Sequence, residues 1–402
     1  MPLDLLPTRE AGLARLEAFV PKAGAAYAQR RGFDLSPEGH PHVSLLSPYL
    51  RHRMVTEAEV LRPILARHGP EAAERAVSEV LWRTYWKGVM ELRPGLWTDY
   101  RTGLGRALDR TATEAGLRRG WEDACEGRTG IEAFDHWAHE IARDGYLHNH
   151  ARMWFASIWI FTLRLPWELG ADFFLRHLLD GDPASNTCSW RWVAGLQTAG
   201  KTYLARADNI ARYTGGRFRA QGGLASAAEP VEGPPNPPVR PFVPPPPAAA
   251  PEGPWGLLLH EDDLTPDHIP FAAEAGPRAV MLATARRSPL AVSEGVRAFA
   301  RGAARDAGER IGGAGILEGP EAVADWAAAA GLGAVVAPFA MRGPVGAALD
   351  AAEAALKARG IELRRALRDY DAAAWPFATA GFYKFRRAIP ALIAPLLPAD
   401  AA

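Results

Sequence analysis

The stretch HLLDGDPASNTCSWRW, residues 177–192, sets Asp180, Asp182, Asn186, Trp190 and Trp192 close together, directly after an aromatic-rich apolar segment. Indoles favour burial, and a carboxylate buried beside them needs a partner or donors to offset its lost hydration. Acid groups, an amide and indoles in one short span suit a site that holds a polar partner against aromatic rings. The same residues have plainer uses, since an aspartate also caps a helix or closes a turn and tryptophans also fill a core.

The bulk sequence bounds what can position such a site. At 402 residues the chain exceeds a comfortable single core, so two domains are expected. Lysine plus arginine and aspartate plus glutamate are equal at 46. Residues 1–220 hold a slight basic excess and the remainder a slight acidic one, so global charge announces no nucleic-acid binder. Cys125 and Cys188 cannot build a disulfide framework, which fits a reducing cytoplasm. The start lacks an apolar signal core, and the longest apolar run, MWFASIWIFTL (153–163), is about half a membrane span. These features predict a soluble, cytoplasmic protein with no membrane partner. No metal site is read from the sequence.

Residues 230–254 contain twelve prolines and cannot form a helix or a central strand, which predicts a polyproline spacer. Before it, apolar positions recur at three and four, as in VSEVLWRTYWKGVMEL and GIEAFDHWAHEIARDGYL, and predict helices. After it, the short runs WGLLLH (255–260), AVMLAT (279–284) and GAVVAP (333–338) alternate with alanine-rich helices near 293–310, 320–331 and 344–360, predicting a parallel sheet with covering helices. The expected organisation is a helical domain over 1–228, a proline-rich linker over 229–254 and a smaller parallel α/β, Rossmann-like domain over 255–402. No Gly-x-Gly-x-x-Gly opens the second part, which speaks against dinucleotide binding there.

Several separated segments occur in a telling order: Tyr27, HVSLLSPYL (42–50), SEVLWRTYW (78–86), EGRTGIEAFD (126–135), DGYLHNHARM (144–153), then DGDPASN and Trp-x-Trp. Together they resemble the helical FAD-binding domain of the photolyase/cryptochrome family over roughly residues 10–210. The resemblance implies that Tyr27, Ser44, Leu46 and Ser47 contact FAD, with Val43 where the family usually has threonine. It implies further FAD contacts from Arg83, Arg152, Asp180, Asp182 and Asn186. Arg152 and Asp180 would form an ion pair against the flavin ring, a guanidinium there favouring the reduced, negatively charged flavin. Asn186 would face the redox-active nitrogen, where asparagine is typical of the family's repair enzymes.

By the same resemblance, Trp190 and Trp167 are the first two members of an electron-transfer chain to the flavin. The third has no counterpart near Glu114, and Trp97, Trp121 or Trp154 could stand in. Glu79, Trp82, Asn149, Met153 and Trp192 match the pocket for an extruded pyrimidine dimer, where indoles replace lost base stacking. His148 and His150 receive no catalytic role. Two departures stand out: Ala205 replaces the family's docking arginine, with Arg206 beside it, and the chain opens in its helical part. WGLLLHEDDLTPDHIPF and TAGFYKFRRAIPALI resemble, more loosely, the family's α/β domain, which would make the chain a circular permutant. Thr265 stands at that domain's arginine position, so no second, antenna chromophore is assigned. The implied function is a light-driven photolyase, passing an electron from reduced FAD to a pyrimidine dimer in damaged DNA. The rivals are a cryptochrome-like blue-light photoreceptor and a non-catalytic FAD-binding protein.

Overall fold

The computed structural model describes residues 3–36, 39–219 and 223–398; the ends of the two expected domains, 1–2 and 399–402, lie outside these. The first part is helical: α1 (Arg9–Phe19), α2 (Ala25–Arg30), α3 (Ser47–Arg51), α4 (Glu57–Ala72), α5 (Glu74–Leu92), α6 (Gly95–Thr113), α7 (Ala115–Cys125), α8 (Glu132–Asp144), α9 (Asn149–Ser157), α10 (Trp167–His177), α11 (Pro183–Val193) and α12 (Ala207–Tyr213). Local chemistry sets several starts. Thr56 and Glu59 form a capping box at α4, and Asp182 accepts from the Ser185 N–H at α11, where Pro183 occupies the first turn. The apolar run after α9 continues as a π-helical turn, Ile158–Thr162. No helix among the described residues is long and apolar enough to cross a membrane.

The second part alternates strand and helix: β1 (Trp255–His260), β2 (Arg278–Leu282), α13 (Glu294–Arg310), β3 (Gly315–Glu318), α14 (Pro320–Ala329), β4 (Ala334–Pro338), α15 (Pro344–Lys357) and β5 (Glu362–Ala366). Three short helices follow, α16 (Asp369–Ala374), α17 (Phe382–Phe385) and α18 (Ile389–Ile393). The five strands are parallel in the order β3-β2-β1-β4-β5. The expected runs at 255–260, 279–284 and 333–338 are β1, β2 and β4, and the structure adds β3 and β5 at the two edges.

The cores explain how the parts meet. One apolar cluster lies within the helical part, around Trp137, Trp154, Phe155 and Trp159. Another fills one face of the sheet under α14 and α15. The third is shared: Tyr49, Leu61, Leu81 and Val89 of the helical part pack with Leu257, Leu259, Val280 and Phe299 of the α/β part. Burial of that mixed cluster removes apolar surface of both parts from water, which holds them as one body.

A buried ionic seam runs along the same junction. Arg51 Nη1 donates to Asp262 at 2.5 Å, and its Nε donates to the Gly181 carbonyl at 2.8 Å. Arg53 donates to Asp371 at 2.7 Å, Asp263 at 3.2 Å and Glu57 at 3.3 Å, and Arg368 also grips Asp263 at 2.7 Å. The carboxylates after β1 therefore anchor the loop between α3 and α4. The proline tract is also tied down and does not stand off as a free spacer. Val231 N–H bonds to the Ala194 carbonyl, Arg240 N–H to the Leu92 carbonyl, and Phe242 meets Trp375 edge-on at 5.4 Å. The few non-proline residues in the tract supply the N–H groups that proline lacks.

Candidate functional site

Three helices each turn one face toward a single cavity. On α5 these are Glu79, Trp82, Arg83 and Trp86; on α9, Asn149, Arg152, Met153 and Ala156. Both sets have the spacing i, i+3, i+4, i+7, which places side chains on one stripe of a helix. On α11 the stripe is Asp182 at the cap, then Ser185, Asn186, Ser189 and Trp190. The cavity holds about 490 Å³, within the range of small-molecule and cofactor sites.

The Ser44–Ser47 loop closes one side. Leu45 adopts φ 54°, the left-handed region that a branched residue rarely enters, and the turn it makes lets the Leu46 N–H bond to Ser44 Oγ at 3.3 Å. Sharp backbone strain of this kind is tolerated where the surroundings over-determine a loop.

Charge is concentrated and paired. Arg152 Nη2 donates to Asp180 at 2.9 Å, while its Nε is held by the Leu147 carbonyl at 2.8 Å. Burial pushes the Asp180 carboxyl up, but Arg152, aided by Arg83 and Ser47, outweighs this and leaves it below the ordinary carboxylate value. Asp182 Oδ1 caps α11 at 2.7 Å, and its Oδ2 lies 3.7 Å from Arg83. Burial again opposes ionisation, and Arg83, Lys87 and Arg51 overcome it, taking the group to about 2. Both readings of Asp182, helix cap and cavity carboxylate, therefore hold at once. Asn186 donates from Nδ2 to the Ala171 carbonyl at 2.8 Å, which leaves its own carbonyl oxygen as an acceptor.

Several buried polar atoms around this space have no hydrogen-bond partner among the described residues: Arg83 Nη1, Asp180 Oδ1, Asp182 Oδ2, Ser185 Oγ and Trp190 Nε1. Buried polar groups are normally satisfied, so a cluster of unsatisfied donors and acceptors on one wall marks where a polar ligand fits.

All but one of the sequence-predicted site residues line this cavity: Tyr27, Ser44, Leu46, Ser47, Glu79, Trp82, Arg83, Asn149, Arg152, Met153, Asp180, Asp182, Asn186, Trp190 and Trp192. Trp167 does not; it begins α10 away from the wall. The Trp190 ring meets Phe174 at 5.1 Å and Trp159 at 6.1 Å, and a Cβ on Gly170 would lie 2.3 Å from that ring, so the helix needs glycine there. Trp167 meets Tyr100 at 5.8 Å, and Tyr100 meets Trp97 at 5.2 Å, an aromatic path leading away from the cavity. The sequence reading missed Arg31, Tyr146, Ser185 and Trp86. Trp86 and Ser185 were findable from the helical spacing of their neighbours. Arg31 and Tyr146 carry no such signal, because they reach the cavity from outside those stripes.

Arg31 bonds to Glu79 at 2.7 Å. Burial lifts the Glu79 carboxyl above its ordinary value, with Arg31 opposing the rise. His148 is held at about 3 by burial and by His40 and His150, so it is a neutral ring that accepts the His150 N–H at the start of α9. Ala205 is buried, its N–H on Ser157 Oγ at 2.8 Å, and Arg206 is exposed and paired with Asp208.

Residues 76–215 match the family model for the FAD-binding domain of DNA photolyase. The deoxyribodipyrimidine photo-lyase of Thermus thermophilus is 36% identical over 203 residues, 49% of this chain and 45% of that protein. The enzyme of the same name from Streptomyces griseus is 34% identical over 180 residues, 42% and 38% of the two chains. The chain thus spans less than half the length of the curated relatives it matches. A bacterial class III photolyase structure from Agrobacterium tumefaciens is 25% identical, covers 52% of this chain and 43% of its own, and superposes with a TM-score of 0.42. Residues 76–215 are thus similar to the FAD-binding domain of DNA photolyase, and the similarity to the curated photo-lyases is confined to part of each chain.

Proposed function

We propose that this protein is a light-driven photolyase acting on pyrimidine dimers in DNA, built from a helical FAD-binding unit (1–228), a proline-rich connector (229–254) and an α/β unit (255–402). The observation that carries the reading is that one cavity gathers both residue sets, those expected for FAD and those expected for an extruded dimer. The unsatisfied atoms of Arg83, Asp180, Asp182 and Ser185 fit a large polar cofactor with phosphates and a hydrogen-bonding ring. FAD, when bound and reduced, supplies the electron that splits the dimer.

The chain's own residues bind, orient and shield. The Ser44–Ser47 loop and Arg83 suit the diphosphate, an anion that hydroxyls, backbone N–H groups and a guanidinium all recognise. Arg152, fixed in position by Asp180, would supply positive charge to the bound flavin. Asn186, locked by the Ala171 carbonyl, presents an amide that neither gains nor loses a proton. Trp82 and Trp192 offer faces for the unstacked bases, Glu79 and Asn149 read polar edges, and Met153 fills the gap between them.

The deciding experiment is repair of a dimer-containing single-stranded oligonucleotide by the reduced, flavin-loaded protein under blue light, with a dark control. Single-stranded substrate lowers the cost of flipping the lesion. Trp82→Ala should weaken lesion binding about tenfold while flavin stays bound, since one base–aromatic stack is worth ~1–3 kcal/mol. A flavin-loaded protein that neither binds nor repairs any dimer would overturn the repair reading in favour of the photoreceptor one.

Trp190 and Trp167 we assign to electron supply. Trp190→Phe keeps most of the packing against Phe174 and Trp159 but removes the easily oxidised indole. Photoreduction of bound FAD, followed by bleaching of the oxidised flavin band, should slow at least tenfold in Trp190→Phe and similarly in Trp167→Phe. Unchanged rates in both folded variants would return these indoles to the core.

A further inference from the structure

The short helix α17 sits against α5, the helix that carries Glu79, Trp82 and Arg83. Phe382 stacks on the Trp82 indole with ring centroids 3.7 Å apart and planes 11° from parallel. Phe385, fully buried, meets Tyr85 at 5.4 Å. Tyr85 Oη donates to the Ala380 carbonyl at 2.8 Å, and Arg93 Nη2 donates to the Thr379 carbonyl at 2.6 Å. Trp82 lines the cavity and Phe382 does not, so the phenyl ring backs the indole from outside.

This clamp fixes what the turn shows to solvent. With Phe382 and Phe385 inward, Tyr383, Lys384, Arg386 and Arg387 face out, and Tyr383 is 77% exposed. From Ala372 to Pro398 the sequence contains no acidic residue. Arg386 bridges to Glu74 at 2.6 Å, and Glu74 also lies 3.3 Å from Arg75, whereas no carboxylate engages Lys384 or Arg387 among the described residues. An exposed tyrosine followed on the same short segment by two exposed cations without carboxylate partners, and one residue from the ring that supports a cavity indole, is an arrangement suited to a polyanion with flat bases.

We propose that Tyr383, Lys384 and Arg387 form a docking strip for single-stranded DNA entering the cavity, with Tyr383 stacking on a base that flanks the lesion and the two cations gripping phosphates. The strip rests on the repair reading for its substrate, and it supplies the phosphate contacts that the buried Ala205 cannot. Single strands recognised in this way combine backbone charge with base stacking and bind with little sequence preference. The strip therefore serves undamaged flanks as well as the lesion.

Fluorescence anisotropy tests this with the full-length, flavin-loaded protein and two labelled oligonucleotides, an undamaged oligo-dT and the same strand carrying one dimer, over a salt series. K384Q/R387Q should weaken both by roughly tenfold and flatten the slope of log affinity against log salt by about 1.4, two phosphate contacts at ~0.7 each. Y383A should cost about tenfold on both strands with the salt slope unchanged. Flavin content and melting temperature serve as the fold check. Variants that bind like the wild type, or a wild type that binds neither strand, would overturn the strip. Oligo-dT binding that depends on the strip, with no light-driven repair, would uphold it and sink the repair reading instead.

Discussion

Replacing Arg53 with alanine should destabilise the protein by about 3–5 kcal/mol, the cost expected when one member of a buried ionic cluster is removed. Arg53 is 2% exposed and contacts Asp371, Asp263 and Glu57, which come from both parts of the chain. Arg368 would still compensate Asp263, and Lys87 lies 3.7 Å from Glu57, but Asp371 would lose its guanidinium ion-pair partner, the one it has among the described residues, and keep only the more distant Lys87 charge. Burial already holds the Asp371 carboxyl above its ordinary value, with Arg53 opposing the rise and Glu57 adding to it. Without Arg53 that value climbs further, so the penalty exists only above it and shrinks as Asp371 takes up a proton at lower pH. Thermal unfolding should therefore separate variant from wild type widely at neutral pH and less in acid. Arg53→Lys should rescue poorly, because an ammonium cannot reproduce the guanidinium fork that spans three carboxylates. Equal unfolding temperatures at neutral pH would show that the seam does not hold the two parts together.

Asp180→Ala should strip most of the FAD from the purified protein. The variant leaves Arg152 without its 2.9 Å partner in a mostly desolvated wall. Arg152 retains 23% exposure, so a cost near the lower end, about 3 kcal/mol or roughly a hundredfold in flavin affinity, is expected. Asp180→Asn keeps a hydrogen-bond acceptor but not the charge, and an intermediate occupancy would apportion the two. The wild type adds a pH test. Asp180 and Asp182 both have depressed values, Asp182 at about 2, so their contribution is complete above the ordinary carboxylate range and is lost as pH falls through it toward 2. Flavin fluorescence should stay quenched at pH 5 and rise on release in stronger acid. Full occupancy in Asp180→Ala would show that the pair does not position the cofactor.

Much of this site was legible through the family resemblance of its ordered motifs, and helical periodicity explains why residues of one motif share a wall. The stripes 79-82-83-86 and 149-152-153-156 could be read as faces before any partner was known, and both turn into the cavity. The apolar run of β1 and the shorter ones of β2 and β4 were equally readable, since these inner strands are buried on both sides. The edge strands β3, Gly-Ile-Leu-Glu, and β5, Glu-Leu-Arg-Arg-Ala, were not, because edges carry charge and glycine that mask a strand pattern. Both tryptophans of the proposed relay were named from the sequence, but their places were not: Trp190 lies on the wall, while Trp167 meets Tyr100, which meets Trp97, contacts made where α6 and α10 pack together.

The sequence by itself determined the faces: which residues on each helix are apolar, which are charged, and where proline and caps begin and end the elements. Only the tertiary structure decided which faces meet. Asp371 reaches Arg53 across 318 positions and Phe382 covers Trp82 across 300, and no local period encodes such a pairing. A side chain's direction follows from backbone geometry over a few residues, whereas its partner depends on how the whole chain returns to bury the apolar surface shared by both parts.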